Sequence, residues 1–499
     1  MVCLHMKKHT KIIPMLPGFY APKRGRKSRT PQQVFAAKLA SIKEKTFKQI
    51  GEIFSPFIPM AALRQGRSGA MSRRRIFTKE NTFWAFLGQS LDSDGGCKEV
   101  VRKLQSYTSM RGLKMPSSST ASYCAARKKL DENTLYQIFY HTTHWASSAT
   151  ASGALNGRRV IVVDGTGVSM PDTAANQAVW PQHSSQKAGC GFPTARICAY
   201  FSLENGGLLN YAIGNKKCNE LPLFRENWST FEKGDIFLGD KGFCSYFDIA
   251  KLKGRGVDSV VTLARRKPVS KKKCLKELGH EDLLVEWPKP KYNKVLSYSR
   301  EEWEDLPDRL VMRQIKVQVK EPGFRCKEFY IVTTLLDPEK YLRTDITALY
   351  RKRWDVELFL RDIKTTMKFD VLRCQSPEMI RKEILMCFIT YNCIRRLMFE
   401  AASDSDEDVE VRIISFKGSL QAIRSWESRM GASQLDRHEH LAMMSDLYLA
   451  LADGKILDRP GRSEPRCLKR RPKPFQLMTR PRHEMKEIPH RNRYRAEIP

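Results

Sequence analysis

Apolar residues recur at three- and four-residue spacing through residues 31–54, "PQQVFAAKLASIKEKTFKQIGEIF", through 78–91, "TKENTFWAFLGQSL", and through 119–146, "STASYCAARKKLDENTLYQIFYHTTHWA". That period marks amphipathic helices, and Thr78 stands where a capping hydroxyl would open the second stretch. Residues 31–150 are therefore expected to form a helical N-terminal domain, either a DNA reader or a plain helical scaffold. From residue 158 the pattern changes to short β-branched runs. "RRVIVVDGTGVSM" (158–170) predicts a strand that stops at Asp164. "RICAYFSLENGGLLNYAIG" (196–214) predicts two strands around an Asn205-Gly206-Gly207 turn, with a helix near 219–230. "GDIFLGDKGFCSYFDIAKLKGRG" (234–256) reads as a strand ending at Asp240 and then a helix, while "VDSVVTLAR" (257–265) and "FYIVTTLL" (329–336) read as two more strands.

The lysine- and proline-rich stretch 266–327 carries short alternating runs such as "RLVMRQIKVQVK", which predict an inserted β subdomain. A helix is expected over 349–369, "LYRKRWDVELFLRDIKTTMKF", and further helices over 378–401 and 410–452, separated by the acidic string "SDSDEDVE" (403–410). Strands alternating with helices imply an α/β core. No internal repeat interrupts this order.

Charge alters the picture. The 499 residues carry a formal net charge of +33, with a pI near 9.7. Residues 1–30 hold eight lysines or arginines and no acid, a basic arm, and residues 456–499 form a basic, proline-rich tail. Such an excess points to a polyanion, because every cation that neutralises a phosphate releases condensed counterions. A membrane is the competing partner, but no apolar run reaches the roughly 18–20 residues that span a bilayer. The longest candidate, residues 384–399, is cut by Asn392, Arg395 and Arg396. The first residues lack the apolar stretch of a secretory signal, and the 13 scattered cysteines include no C-x-x-C pair. Both features fit a reducing cytoplasm, and the pairs His141/His144 and His438/His440 lack cysteine partners for structural zinc.

Asp164 and Asp240 each fall at the end of an apolar strand with glycine next to them, where open α/β sheets collect ligands. Either acid alone would read as a turn former or helix cap. A third acid, Glu357, lies on the helix of 349–369. At about 100° per residue, Tyr350, Arg353, Glu357 and Lys364 share a stripe about 60° wide, beside the apolar stripe of Val356, Phe359, Leu360 and Ile363. Arg351, Asp355 and Asp362 fall on the water side of that wheel. Three carboxylates could cage two divalent ions, magnesium or manganese, for in-line displacement at a phosphodiester, while arginine and lysine grip the phosphates.

The spacing Tyr350-x2-Arg353-x3-Glu357-x6-Lys364 resembles the Y-R-E-K signature of the insertion-sequence-four family of bacterial transposases. "VVDGTGVSMPDT" and "FLGDKGF" resemble the family segments that hold its first two aspartates. The resemblance runs from about residue 55 to the tail. It implies an RNase H-like DDE catalytic domain over 155–400 with a β-rich insertion at about 266–327, preceded by the helical DNA-binding domain and followed by C-terminal helices over 410–455 and the basic tail. It assigns Asp164, Asp240 and Glu357 as catalytic, metal-holding residues, and Tyr350, Arg353, Lys364 and Lys241 as DNA-binding. Lys241 stands where arginine is more common. Some relatives pass through a DNA hairpin and stack a flipped base on a tryptophan of the strand before the signature helix; the matching residue here is Phe329, with Tyr330 as the alternative. The implied activity is metal-dependent cleavage of double-stranded DNA at terminal inverted repeats and strand transfer into target DNA, by a homodimer in the DNA complex. A non-catalytic, transposase-derived repressor and a nuclease that only hydrolyses are the competing readings.

Overall fold

The structure is a computed structural model and describes residues 51, 53–72, 75–92, 94–110, 115–147, 154–215, 220–264, 267–293, 298–318, 328–405, 409–432, 437–456 and 478–485. The basic arm, the helix expected up to residue 50 and most of the basic tail lie outside the described residues. The chain divides into two compact units, Met1–Ala146 with Ile384–Ile456, and Ser147–Glu383 with Leu457–Pro499.

The first unit is helical. Thr78 caps the helix Lys79–Leu91 by accepting a hydrogen bond from the Asn81 N–H at 3.1 Å. The stretch 119–146 makes two helices, Ala121–Lys129 and Glu132–Ser147, where its period suggested one. The break falls at Asp131, whose carboxylate accepts the Thr134 N–H at 2.8 Å and so caps a new helix. The region 410–452 likewise forms two helices, Phe416–Ala432 and Arg437–Asp453. They do not stand apart from the N-terminal helices: Lys103 of the helix Cys97–Met110 bonds Asp92 at 2.6 Å and the buried Glu427 at 3.3 Å. Phe139 packs on Phe388 with ring centroids 6.4 Å apart.

The second unit is built on one nine-stranded sheet, in spatial order β3-β2-β1-β4-β5-β9-β8-β7-β6. Its strands are β1 (Val160–Ser169), β2 (Thr194–Ser202), β3 (Leu208–Asn215), β4 (Ile236–Leu238), β5 (Asp258–Thr262), β6 (Lys276–Gly279), β7 (Asp282–Pro288), β8 (Arg309–Gln318) and β9 (Glu328–Thr333). The first three form an antiparallel meander, with Asn205 accepting the Gly207 N–H at 2.9 Å in the β2–β3 turn and Gly206 at φ +70°. Strands β4 and β5 add parallel to β1. Their central runs are apolar in succession, "VIVV" and "IFL", because the strands are covered on both faces. The stretch 266–327 supplies β6, β7 and β8, which extend this same sheet through antiparallel pairing with β9. No helix among the described residues is long and apolar enough to cross a membrane.

One expectation about β1 needs correcting. The strand does not stop at Asp164 but continues to Ser169, paired with β2 along its whole outer half. What ends near Asp164 is the parallel neighbour: β4 pairs only with Val160–Val162 and then turns away. The half-buried carboxylate therefore has no β4 residue paired beside it.

Candidate active site

Register places the two aspartates together. Val162 of β1 lies opposite Leu238 of β4, and Leu238 lies opposite Val260 of β5. Two residues beyond that row come Asp164, Asp240 and Thr262, on the same pleat face because side chains alternate with a period of two. Asp164 lies inside β1, Asp240 two residues past the end of β4 and Thr262 at the end of β5, and Asp240 is close enough to Asp164 to push its carboxyl up. Asp164 accepts the Gly165 N–H at 2.7 Å. Asp240 caps the short 3-10 turn Lys241–Phe243 and accepts the Gly242 N–H at 2.7 Å. Thr262 is hydrogen-bonded to the Tyr350 hydroxyl. Tyr350 also packs against Phe329, with ring centroids 5.6 Å apart. Phe329 is half-buried on β9 beside this edge, and Tyr330, the next residue, points to the other face.

The segment 349–369 is not one regular helix. A helix Arg343–Lys352 gives way to turns at Arg353 and Trp354, resumes over Asp355–Arg361 and opens into a π turn over Asp362–Thr366. Between these pieces the N–H groups of Arg353, Trp354, Val356 and Glu357 bond three residues back instead of four. Each such residue advances about 120° about the axis instead of 100°, so Glu357 is carried outward from the common stripe. Arg353 is buried, the Glu357 side chain is 51% exposed, and Asp362, expected on the water face, is buried. Arg353 and Glu357 remain partners through an Nη2···Oε1 ion pair of 3.1 Å. Lys364 is half-buried in the π turn and forms no ion pair with the three acids; Lys241 is exposed beside Asp240. Asp164, Asp240, Tyr350 and Arg353 are thus brought together, and Glu357 is attached to them through Arg353.

The electrostatics follow. Burial pushes the Asp164 carboxyl up to about 6; the Gly165 N–H pulls it down, Asp240 pushes it further up, Arg353 lowers it and Glu220 raises it. The Tyr350 hydroxyl is raised by burial, against the lowering effects of Thr262 and Arg353. Because folding raises the Asp164 pKa above its ordinary 3.8, the folded chain binds that proton more tightly than the unfolded one. Stability is then lost as pH rises from about 4 through about 6. Asp164→Asn should stabilise the metal-free protein by about 1–3 kcal/mol above pH 7, and the gain should vanish near pH 4. Denaturant unfolding at both pH values checks this; an equal gain at pH 4 and 7.5 would mean that ionisation of Asp164 is not the source.

Sequence reasoning missed Glu220, Arg196 and Thr262. Glu220, the first residue of the helix Glu220–Glu226, stands against Gly165, and Arg196 lies 4.0 Å from it. Thr262 was legible only as the end of a strand. Among the described residues no three acidic, His or Cys side chains converge as a ready metal-ligand group. The donor chemistry still fits a hard divalent cation. Two carboxylates share one strand edge, one of them disfavoured as an anion by burial and by its neighbour, which is the cost a cation would offset. The Arg353 Nε is buried without a hydrogen-bond partner, a spare donor next to these acids.

A carboxylate pair lies beside a buried arginine on a mixed α/β sheet. Residues 155–393 match the family described as "Transposase DDE domain". The chain is similar to "Transposase InsG for insertion sequence element IS4" of Escherichia coli (strain K12), 24% identical over 428 residues, which is 85% of this chain and 92% of that protein. It also resembles the chain in "Cryo-EM structure of piggyBac transposase synaptic complex with hairpin DNA (SNHP)", with a TM-score of 0.39 and 10% identity over 85% of this chain and 87% of that one, a likeness too slight to establish a common fold. The family match and the curated relative support a DDE transposase role for this chain.

Proposed function

We propose that the chain is an insertion-element transposase that cuts DNA at the element's ends and joins the freed ends to target DNA, with Asp164, Asp240 and Glu357 as its acidic triad. The observation that supports this reading is that Asp164, on β1, and Asp240, two residues past the end of β4, lie close enough for Asp240 to push the Asp164 carboxyl up. The sheet order 3-2-1-4-5, an antiparallel meander followed by parallel strands, supports an RNase H-like core. Magnesium or manganese, two ions in the full reading, would supply Lewis-acid polarisation of the phosphoryl oxygens and a lowered pKa for the attacking hydroxyl. Asp164 and Asp240 would hold the cation from the strand edge, and Glu357 from the signature segment. In the first step water attacks the phosphodiester and the deoxyribose 3′-oxygen leaves with a proton; in the second that 3′-hydroxyl attacks a target phosphodiester and the target's own 3′-oxygen leaves. Arg353 and Lys364 would neutralise strand phosphates, Lys241 would add charge beside Asp240, and Phe329 would receive a base displaced from the stack. The partner is double-stranded DNA bound by a homodimer in the cytoplasm. Incubating the purified chain with paired element ends and plasmid target tests the whole reading. Joined products should form with Mg2+ or Mn2+; cleaved ends without joined products would mark a hydrolytic nuclease, and binding without cleavage a repressor.

Arg353 makes a sharper test within this reading. Its guanidinium is buried among the acids and paired with Glu357, a cation that would meet a strand phosphate drawn into this site. Arg353→Ala should weaken binding to many sequences alike and reduce the slope of log K against log salt by about one. A changed preference for the terminal base at constant salt slope would instead mean that Arg353 reads a base edge.

A further inference from the structure

Two cysteines of the helical unit meet between two of its helices. Cys97 opens the helix Cys97–Met110, and Cys124 lies inside the helix Ala121–Lys129. Their thiols are within hydrogen-bond reach of one another. The surroundings hold Cys97 in that position. Arg127, three residues beyond Cys124 and so on the same face of its helix, donates from Nη2 to Cys97 Sγ at 3.2 Å. The Arg127 guanidinium is fixed in turn. It lies 5.0 Å from the ring centroids of both Phe86 and Tyr123, and its Nη1 donates to Gln89 Oε1 at 3.2 Å. The Tyr123 hydroxyl donates to the same oxygen at 2.7 Å. Gln89 Nε2 donates to the Gly95 carbonyl at 2.8 Å and to Cys97 Sγ at 3.7 Å. Tyr123 and Arg127 are buried, whereas both cysteines are half-buried and so open to a small oxidant. Burial pushes the Cys97 thiol up, Arg127 pulls it down and Cys124 pushes it up again.

We propose that Cys97 and Cys124 are an oxidisable pair, which hydrogen peroxide converts into a disulfide joining the two helices. Neither cysteine takes part in the chemistry assigned to the acids. The Cys97 thiolate, favoured by the Arg127 donor, attacks one peroxide oxygen. The O–O bond breaks, and the departing hydroxide takes up the Cys97 proton as water. Cys97 is then a sulfenic acid. The Cys124 sulfur attacks it, an S–S bond forms, the S–O bond breaks, and the second oxygen leaves as water with the Cys124 proton. The two thiols lose two electrons and the peroxide gains them. Without oxidant, a reducing environment keeps both as thiols. The bond closes a loop over residues 97–124, which includes the helix whose Lys103 pairs with Asp92 and Glu427. Closing that loop removes conformations from the unfolded chain and so raises stability.

The test treats the full chain with hydrogen peroxide at neutral pH, blocks the remaining thiols with iodoacetamide and maps the digested peptides by mass spectrometry. A linked Cys97–Cys124 peptide should be the first cross-link to appear, and dithiothreitol should remove it. In guanidinium that preference should disappear, because the fold no longer holds the two sulfurs together. In Cys124→Ser, Cys97 should accumulate as sulfenic acid and be captured by dimedone. The oxidised wild-type chain should melt about 5 °C or more above its reduced form, and Cys97→Ser should show no such rise. Circular dichroism checks the folding of each reduced variant, and the wild-type map decides the matter even if one of them fails to fold. Alkylated Cys97 and Cys124 alongside disulfides between other cysteines would overturn the proposal. So would separate adducts on the two sulfurs without a link, or an oxidised chain that melts no higher than the reduced one.

Discussion

Asp164→Asn, Asp240→Asn and Glu357→Gln are each expected to slow cleavage at element ends by about a thousandfold or more, corresponding to roughly 4 kcal/mol of transition-state stabilisation, while DNA affinity stays within a few-fold of wild type. Each change removes one proposed anionic ligand and keeps the side chain's shape. The net charge of +33 leaves the phosphate attraction that dominates affinity almost untouched. Binding and cutting should therefore separate cleanly in a gel-shift assay and a cleavage assay run on the same preparations. The three residues reach this outcome by different routes. Asp164 lies in β1 and Asp240 two residues past the end of β4, so losing either removes one acid of a close pair. Glu357 is paired with Arg353 at 3.1 Å, so Glu357→Gln also frees the guanidinium and should slightly tighten DNA binding. A cleavage rate within tenfold of wild type for any one variant would remove that residue from the triad.

Arg313→Ala should destabilise the protein by about 3–5 kcal/mol, because it strands the charge of a buried partner. Arg313 and Asp282 are 1% and 4% exposed at their side chains and join β8 to β7 through bonds of 2.9 and 2.5 Å. A third bond, of 2.6 Å, runs from Arg313 to the carbonyl of Tyr341, just ahead of the helix that carries Tyr350. The pair thus ties the added strands to the lead-in of the signature segment. Replacing both charges, as in Asp282→Leu with Arg313→Met, should cost far less than the single change. The shift in denaturant midpoint for the single and double variants measures this; equal losses would show that the guanidinium's bond to Tyr341, and not the ion pair, is what matters.

The sequence pointed to Asp164 and Asp240 because each follows an apolar run beside a glycine, and the structure brings the two near one another. The Tyr350–Lys364 spacing was equally plain as a motif, but its geometry was not. A wheel at constant pitch cannot anticipate that hydrogen bonds tighten to three-residue spacing at Arg353–Glu357 and loosen into a π turn at Asp362. Those two departures put Asp362 inside and Glu357 outside. Glu220 was not legible because its meaning lies in contact with Gly165, 55 positions earlier, and nothing around "CNELPLF" distinguishes it from any acid opening a helix. Arg313 was hidden likewise inside an alternating strand, since a buried cation makes sense only beside Asp282. The extension of the sheet through β9 was out of reach for a similar reason: alternation predicts strands, but not which edges they join.

The central claim is that acids from β1, β4 and the signature segment hold one divalent-metal centre. Fe2+ substituted for Mg2+ in the full chain, with ascorbate and peroxide, generates hydroxyl radicals that cut the backbone next to the bound ion. The account predicts fragments ending near residues 164, 240 and 357, suppressed by excess Mg2+ and absent from Asp164→Asn. Cuts elsewhere in the chain, or cuts at these places that persist in Asp164→Asn, would contradict it.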